Sequence, residues 1–170
     1  TVLALGSYNF CSLTVNQDRR RTVPAGATLI VRDVFSAQNN SAVTVENGSD
    51  VRIGTLQLSY TNFTAGPSAV VGLNRLETGG SSLTLPGGAY RIKSLWGNNG
   101  AAAGFSVTFR SPADLFLTEW VDWGNLGWID TASGQAQDLT LFPVAGASVN
   151  LGGHLGGSIY GPQSSMNLWQ

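Results

Sequence analysis

A six-residue stretch, Thr22-Val23-Pro24-Ala25-Gly26-Ala27, recurs almost unchanged as Thr84-Leu85-Pro86-Gly87-Gly88-Ala89. Each copy leads into a run of strand-forming residues, 28–32 after the first and 90–94 after the second. Proline fixes φ and a following glycine can adopt positive φ, which suits a tight corner before a strand. The duplication therefore predicts two equivalent corners of one β structure, and it indicates a scaffold and not a catalytic site.

Short segments with the alternating pattern of β-strands recur as far as residue 110, separated by Gly, Pro and Asn. Asn47-Gly48 is a strong signal for a two-residue hairpin turn. Short strands at this spacing are typical of sandwiches and barrels. We therefore predict an all-β fold, an antiparallel β-sandwich of jelly-roll type within residues 1–110, with residues 1–5 as an N-terminal arm.

The composition changes after residue 110. Residues 111–170 contain Trp120, Trp123 and Trp128, and the stretch from 144 to 161 is rich in glycine. We predict that residues 111–170 form an irregular Trp- and Gly-rich extension, either as extra strands or as an interaction element.

Charged residues make up only 11% of the 170-residue chain, and the net charge is −1. A surface with few charges can be buried against another protein at low desolvation cost. Nucleic-acid binding is not expected, because its affinity comes mainly from phosphate neutralisation by a basic patch. No segment reaches the roughly 20 apolar residues needed to span a bilayer, so no membrane partner is expected either.

Cys11 is the only cysteine and His154 the only histidine. The chain therefore has no internal disulfide and no two-histidine metal site. It also lacks the lysine-containing glycine-rich loop that binds nucleotide phosphates. We expect no cofactor and no metal, and we predict that the protein is not an enzyme.

The surface candidates are one cationic run and a set of tryptophans. The run Arg19-Arg20-Arg21 precedes a strand and would suit a carboxylate-rich protein partner. Tryptophan often anchors interfaces, and the candidates for this role are Trp96, Trp120, Trp123, Trp128 and Trp169.

Two other interpretations use some of the same residues. A carbohydrate-binding module would stack a sugar on Trp96, Trp120 or Trp123 and bind its hydroxyls with nearby polar side chains. A glycosidase would use a pair of carboxylates such as Glu119 and Asp122, although a spacing of three residues does not show that they converge.

With two Thr-x-Pro-x-Gly-Ala corners at residues 22–27 and 84–89, low charge and no catalytic constellation, residues 8–110 resemble the β-sandwich proteins of tailed-phage virions. Head decoration, or cement, proteins are the nearest type. The resemblance implies a structural protein of a bacteriophage capsid surface, a homotrimer that bridges major capsid or other virion subunits. The carbohydrate-binding alternative implies a glycan partner and a tail-fibre or extracellular location.

Overall fold

The computed structural model, which describes residues 2–97, 104–124 and 126–168, is a parallel β-solenoid. Every strand pair in the described residues runs parallel. The predicted all-β class is confirmed, but the antiparallel, jelly-roll-like β-sandwich is wrong. Each strand pairs with the strand one coil away, and not with the strand that precedes or follows it in the chain.

Eighteen strands and one short 3-10 helix make up the described chain. They are β1 (Ser7–Phe10), β2 (Leu13–Val15), β3 (Arg20–Val23), β4 (Thr28–Gln38), β5 (Ala42–Val45), β6 (Asp50–Ser59), β7 (Asn62–Ala65), β8 (Val70–Gly79), β9 (Ser82–Leu85), β10 (Gly88–Gly97), β11 (Phe105–Phe109), β12 (Ala113–Trp123), β13 (Gly127–Thr131), the helix (Ala136–Asp138), β14 (Leu139–Pro143), β15 (Ser148–Leu151), β16 (His154–Leu155), β17 (Ser158–Ile159) and β18 (Ser165–Leu168).

The strands form three faces. The first face contains β1, the first halves of β4, β6, β8, β10 and β12, then β14 and β17. The second face contains β2, the second halves of the same long strands, then β15 and β18. The third face is the separate seven-stranded sheet of β3, β5, β7, β9, β11, β13 and β16. One pass through the three faces is a coil, and the chain completes seven coils and begins an eighth.

The core fills the interior of the coils because inward and outward side chains alternate along each strand. Residues in register on successive coils stack directly above one another. One inward column on the second face includes six residues that are each at most 2% exposed: Phe35, Leu56, Leu76, Leu95, Val121 and Val149. Burial of such continuous columns holds the coils together, since no coil can bury its apolar residues alone.

The duplicated stretches occupy the same place in two different coils, the corner from the third face to the first. The two stretches thus lie at corresponding corners, but these are corners of a solenoid and not of a sandwich, and the second corner is one residue shorter than the first. Asn47-Gly48 lies at the same corner of one of the intervening coils and joins β5 to β6, which belong to different sheets and do not pair, so the predicted hairpin is wrong. Gly26 and Gly48 both have φ of +76°, a conformation that glycine adopts without steric cost.

Both sheets continue across the expected boundary at residue 110. β10 pairs with β12, and β11 pairs with β13, in the same parallel arrangement as the earlier coils. The Trp- and Gly-rich segment is therefore built from regular coils as far as residue 168, and its description as irregular is wrong. Over the residues that the structure describes, no helix is long and apolar enough to cross a membrane.

A ladder of buried hydroxyl groups lies at the corner from the second face to the third. The Thr61 Oγ1 atom lies 3.0 Å from the Ser41 Oγ atom and donates to the Ser59 carbonyl at 3.1 Å. The backbone N–H of Thr61 donates to the Ser81 Oγ atom at 3.0 Å. These three coils are thereby joined by polar contacts at positions that water does not reach.

Thr61→Val should lower the free energy of unfolding by about 1–3 kcal/mol. The substitution keeps the shape of the side chain but removes the hydroxyl, which leaves the Ser41 hydroxyl buried without that partner. Urea denaturation monitored by circular dichroism measures the effect. Thr55→Val, at a half-buried outward position of the same coil, is the matched control and should change little. Equal stability of the two variants would contradict the role of the ladder.

Candidate glycan-binding groove

Two tryptophans lie side by side on the second face, where neighbouring strands present their outward columns. Trp120 is in register with Ser94, and Asp122 is in register with Trp96. Strands lie about 4.8 Å apart and rise about 3.3 Å per residue, so the two tryptophan Cα atoms are about 8 Å apart on the diagonal. Each tryptophan is 38% exposed, which leaves part of each ring system accessible to a ligand.

A polar groove adjoins Trp96 on the same face. It runs across the second halves of β4, β6, β8 and β10. Trp96 forms part of its wall, and the polar side chains that line it are Ser36, Gln38, Gln57, Ser59 and Glu77. The groove therefore combines one aromatic surface with amide, hydroxyl and carboxylate groups.

Hydrogen bonds hold the polar side chains of the groove in place. The Gln57 amide donates to Glu77 Oε2 at 2.8 Å, and the Gln38 amide donates to the Ser36 hydroxyl at 3.0 Å. Amide and carboxylate groups keep further donor and acceptor capacity after one such bond. This arrangement suits a neutral ligand with many hydroxyl groups, because it offers both donors and acceptors beside an apolar surface.

The other tryptophan candidates are distributed over the molecule. Trp123 is 1% exposed and belongs to the core, so it is not available as a surface anchor. Trp128 is 50% exposed on the third face, away from the groove, and stacks on His154 with ring centroids 3.8 Å apart. Trp169 lies outside the described residues. Among the candidates that the structure describes, only Trp96 and Trp120 are thus brought together.

The triple arginine lies on the first coil, far from the tryptophan pair. Arg19 precedes β3, and Arg20 and Arg21 are consecutive residues within that strand. Consecutive strand residues point to opposite sides, and accordingly Arg20 is exposed and Arg21 half-buried. The three side chains therefore do not form one cationic surface.

The predicted N-terminal arm contacts its own chain. Val2 bridges to Thr22 in parallel, and the Leu3 N–H donates to the Thr22 carbonyl at 3.0 Å. Leu3 also packs against the core, whereas Val2 and Leu5 are exposed. The described part of the arm thus extends the third face at its N-terminal edge.

Cys11 and His154 lie at opposite ends of the solenoid. Cys11 is exposed in the first coil, and His154 begins the last strand of the third face in the seventh coil. Six coils separate them, or about 29 Å at about 4.8 Å per coil, so they form no nucleophile pair. Among the described residues, no three His, Cys, Asp or Glu side chains are grouped as metal ligands would be.

Glu119 and Asp122, the two carboxylates that a glycosidase would use, have different surroundings. Glu119 forms an ion pair with Arg75, with Oε2 and Nη2 2.9 Å apart. Asp122 is exposed and lies in the outward column that also contains Trp96. Asp122 thus lies next to Trp96 on the outward side of the second face, whereas Glu119 is paired with Arg75.

The tryptophan pair was visible in the sequence, but most of the groove was not. The missed residues are Gln57 and Glu77, which are 20 positions apart and meet because they are in register on adjacent strands. Trp96 follows 19 positions later in the same column. The signal that would have found them is this spacing of one coil.

Comparison with models of protein families, with curated protein sequences and with solved structures found no match to this chain. The parallel solenoid contradicts the predicted β-sandwich and its jelly-roll description. The resemblance to virion decoration proteins, the capsid partner, the trimer and the virion location stay predictions.

Proposed function

We propose that this protein binds carbohydrate through the second face of the solenoid. The observation that carries the proposal is the half-exposed pair Trp96 and Trp120 beside a groove lined by hydrogen-bonding side chains. The C–H groups of a sugar ring pack well on an indole, which offers a large apolar surface. The sugar hydroxyls then pair with the amides and the carboxylate next to it.

The rigidity of the solenoid supports this function. Both tryptophans lie on strands of the second face whose inward neighbours, Leu95 and Val121, are buried in the core. A site built on strands requires little ordering when the ligand binds, and this reduces the entropic cost of binding. The groove also crosses four successive coils along the solenoid axis, so it suits an oligosaccharide better than a single sugar.

Trp96→Ala and Trp120→Ala should each weaken glycan binding by about tenfold or more, because truncation of an aromatic anchor typically costs about 2 kcal/mol. A glycan array followed by isothermal titration of the best ligand measures the loss. Trp128→Ala removes an equally large and more exposed tryptophan from the third face and serves as the matched control.

The two conservative variants Trp96→Phe and Trp120→Phe should retain most of the affinity, since they keep an aromatic surface. Proper folding of all variants is checked by their melting temperatures. A flat response of the parent protein across a broad array would overturn the proposal, and so would binding that survives in the Trp96→Ala, Trp120→Ala double variant.

A further inference from the structure

The first face has an opening between β8 and β10. These strands pair at Arg75–Thr78 with Ser94–Gly97, on the second face, but residues 70–73 are not paired with residues 88–92. By contrast, β6 pairs with β8 and β10 pairs with β12 along both halves. The fourth and fifth coils therefore separate on the first face while they stay joined on the second.

The corner that precedes this opening is one residue shorter than its equivalents. Corner length can be counted from the threonine near the end of each third-face strand to the first outward residue of the next strand. This count is six positions from Thr44 to Asp50 and six from Thr108 to Asp114. From Thr84 to Ala89, which is in register with Asp114, the count is five positions. The shorter corner thus occurs in the coil whose first-face strand has lost its pairing with β8.

A cleft occupies the opening, and arginines line it. Arg32, Arg52 and Arg91 reach it from three different strands, and Asn74 adds an amide. Gly72 forms part of the floor, where a side chain would otherwise fill the space next to Arg52. Three of the eight arginines of a chain with net charge −1 are thus gathered around one cleft.

The neighbouring carboxylates offset only one of these three positive charges. Asp50 pairs with Arg52 at 3.0 Å, and this contact, through its hydrogen bond and its negative charge, raises the pKa of Arg52 further. Asp114 lies on the far side of β10 and does not line the cleft. The Arg32 Nε–H donates a hydrogen bond to the neutral Asn9 Oδ1 atom at 3.1 Å. Arg32 and Arg91 therefore bring positive charge that no carboxylate in the lining offsets.

The cleft and the glycan-binding groove lie on the same four strands, on either side of the bend between the first and second faces. Both cross β4, β6, β8 and β10, the cleft on the first halves and the groove on the second halves. Gly72 and Glu77 are five residues apart on β8, or about 16 Å along the strand. An extended polymer that follows the coils would contact both.

We propose that the glycan is an acidic polysaccharide whose carboxylate or sulfate groups bind in the arginine-lined cleft while neighbouring sugar rings pack on the tryptophans. The inference rests on the proposed function for the tryptophan contact, but the cleft binds anions independently of it. Guanidinium groups bind carboxylate and sulfate oxygens through paired hydrogen bonds. A nucleic acid is a poorer fit, because three arginines on an acidic chain neutralise few phosphates.

The test compares polygalacturonate, dextran sulfate, uncharged dextran and single-stranded DNA as probes, each titrated at low and at physiological salt. The acidic polymers should bind more tightly than dextran, and their affinity should fall with salt because the contacts with the cleft are electrostatic. Arg91→Gln should weaken their binding by about tenfold or more, since hydrogen bonds to charged groups are the stronger kind. Arg19→Gln, which removes a distant exposed arginine, is the matched control and should leave the affinity unchanged.

A second variant fills the cleft without changing any charge. A Cβ atom at Gly72 would lie 3.9 Å from the Arg52 Cγ atom, an ordinary contact, so Gly72→Val should fold and obstruct the floor. It should weaken binding of the acidic polymers as Arg91→Gln does. Melting temperatures close to that of the parent would show that either loss is local.

The outcomes separate this inference from the proposed function. If neutral glycans bind through the tryptophans and Arg91→Gln has no effect on any probe, the function stands and the acidic ligand is wrong. If the acidic polymers bind through Arg91 but Trp96→Ala and Trp120→Ala have no effect, the cleft stands and the tryptophan platform is wrong. Equal binding of single-stranded DNA at the cleft would overturn the choice of a polysaccharide, and no binding of any probe would overturn both proposals.

Discussion

Gly54→Ala should destabilise the protein more than any other single methyl addition that we propose, by about 3 kcal/mol or more. Gly54 lies in β6 where the strand bends from the first face to the second. A Cβ atom there would overlap the carbonyl oxygen of Arg32 and would lie 2.7 Å from that of Asp33. Both are backbone atoms of the adjacent coil, so no side-chain rotation can relieve the clash.

The same methyl group has room at Gly72, one coil later on β8. The nearest atom to a Cβ there is the Arg52 Cγ atom at 3.9 Å. Both substitutions reduce the entropy of the unfolded chain in the same way, so the difference between them isolates the clash. We expect the free energy of unfolding of Gly72→Ala to lie within about 1 kcal/mol of the parent value.

Urea denaturation followed by far-ultraviolet circular dichroism compares the two variants. Solenoids need not unfold in a single step, so the comparison uses midpoints measured under the same conditions. Similar midpoints for Gly54→Ala and Gly72→Ala would mean that the coils can separate at the bend without cost. That result would contradict the close approach of β4 and β6.

The solenoid could have been predicted from a threonine that recurs at intervals of one coil. Thr22 and Thr84 were recognised in the duplicated corners, but the same column continues through positions that lack the proline: Thr44, Thr64 and Thr108. An apolar or small residue follows each one, and the intervals are 22, 20, 20 and 24 residues. A repeat of this length is the mark of a solenoid.

Strand pairing is harder to predict than strand formation. Alternating residues at 42–45 and 50–59 indicate strands correctly, because the alternation depends only on which side of the strand is buried. The pairing partner depends on contacts about 20 residues away, and a local turn signal such as Asn47-Gly48 does not report them. The same glycine conformation serves a hairpin or a solenoid corner.

The site was half-predictable for the same reason. Exposed tryptophans can be recognised as candidates in a single strand, but the groove beside Trp96 depends on Gln57 and Glu77 from two other coils. The opening beside Arg91 lies next to a corner shortened by one residue, which is visible only after the coils are aligned. Once the length of a coil is known, the neighbours of Trp96 and the shortened corner can be found by counting residues.

Trp123→Ala should lower the free energy of unfolding by about 3–5 kcal/mol, the usual cost of removing a large buried aromatic side chain. Trp123 is 1% exposed, and its ring packs edge-on against Phe105 with centroids 4.5 Å apart. Gly127 also packs against the indole, since a Cβ atom there would overlap Nε1. Trp120→Ala, three positions earlier on the outward side of β12, should cost much less stability.

The indole nitrogen of Trp123 makes a second substitution informative. Within the described residues Nε1 is buried and has no hydrogen-bond partner, and a buried donor in that state costs free energy. Trp123→Phe removes this donor while it keeps an aromatic ring against Phe105. It should therefore lose less than half the stability that Trp123→Ala loses. Thermal unfolding of both variants tests this, and equal losses would mean that the indole nitrogen carries no penalty.

These tryptophan variants also separate the core from the site. Trp123→Phe should bind glycan like the parent, because the core contact with Phe105 does not reach the groove. Trp120→Ala should show the opposite pattern, with near-normal stability and weakened binding. If Trp123→Phe folded normally but lost glycan affinity, the ligand would have to enter the interior of the coils. The groove beside Trp96 would then not be the binding site. Intact binding in Trp123→Phe would instead support the outward side of β10 and β12 as the surface that the ligand contacts.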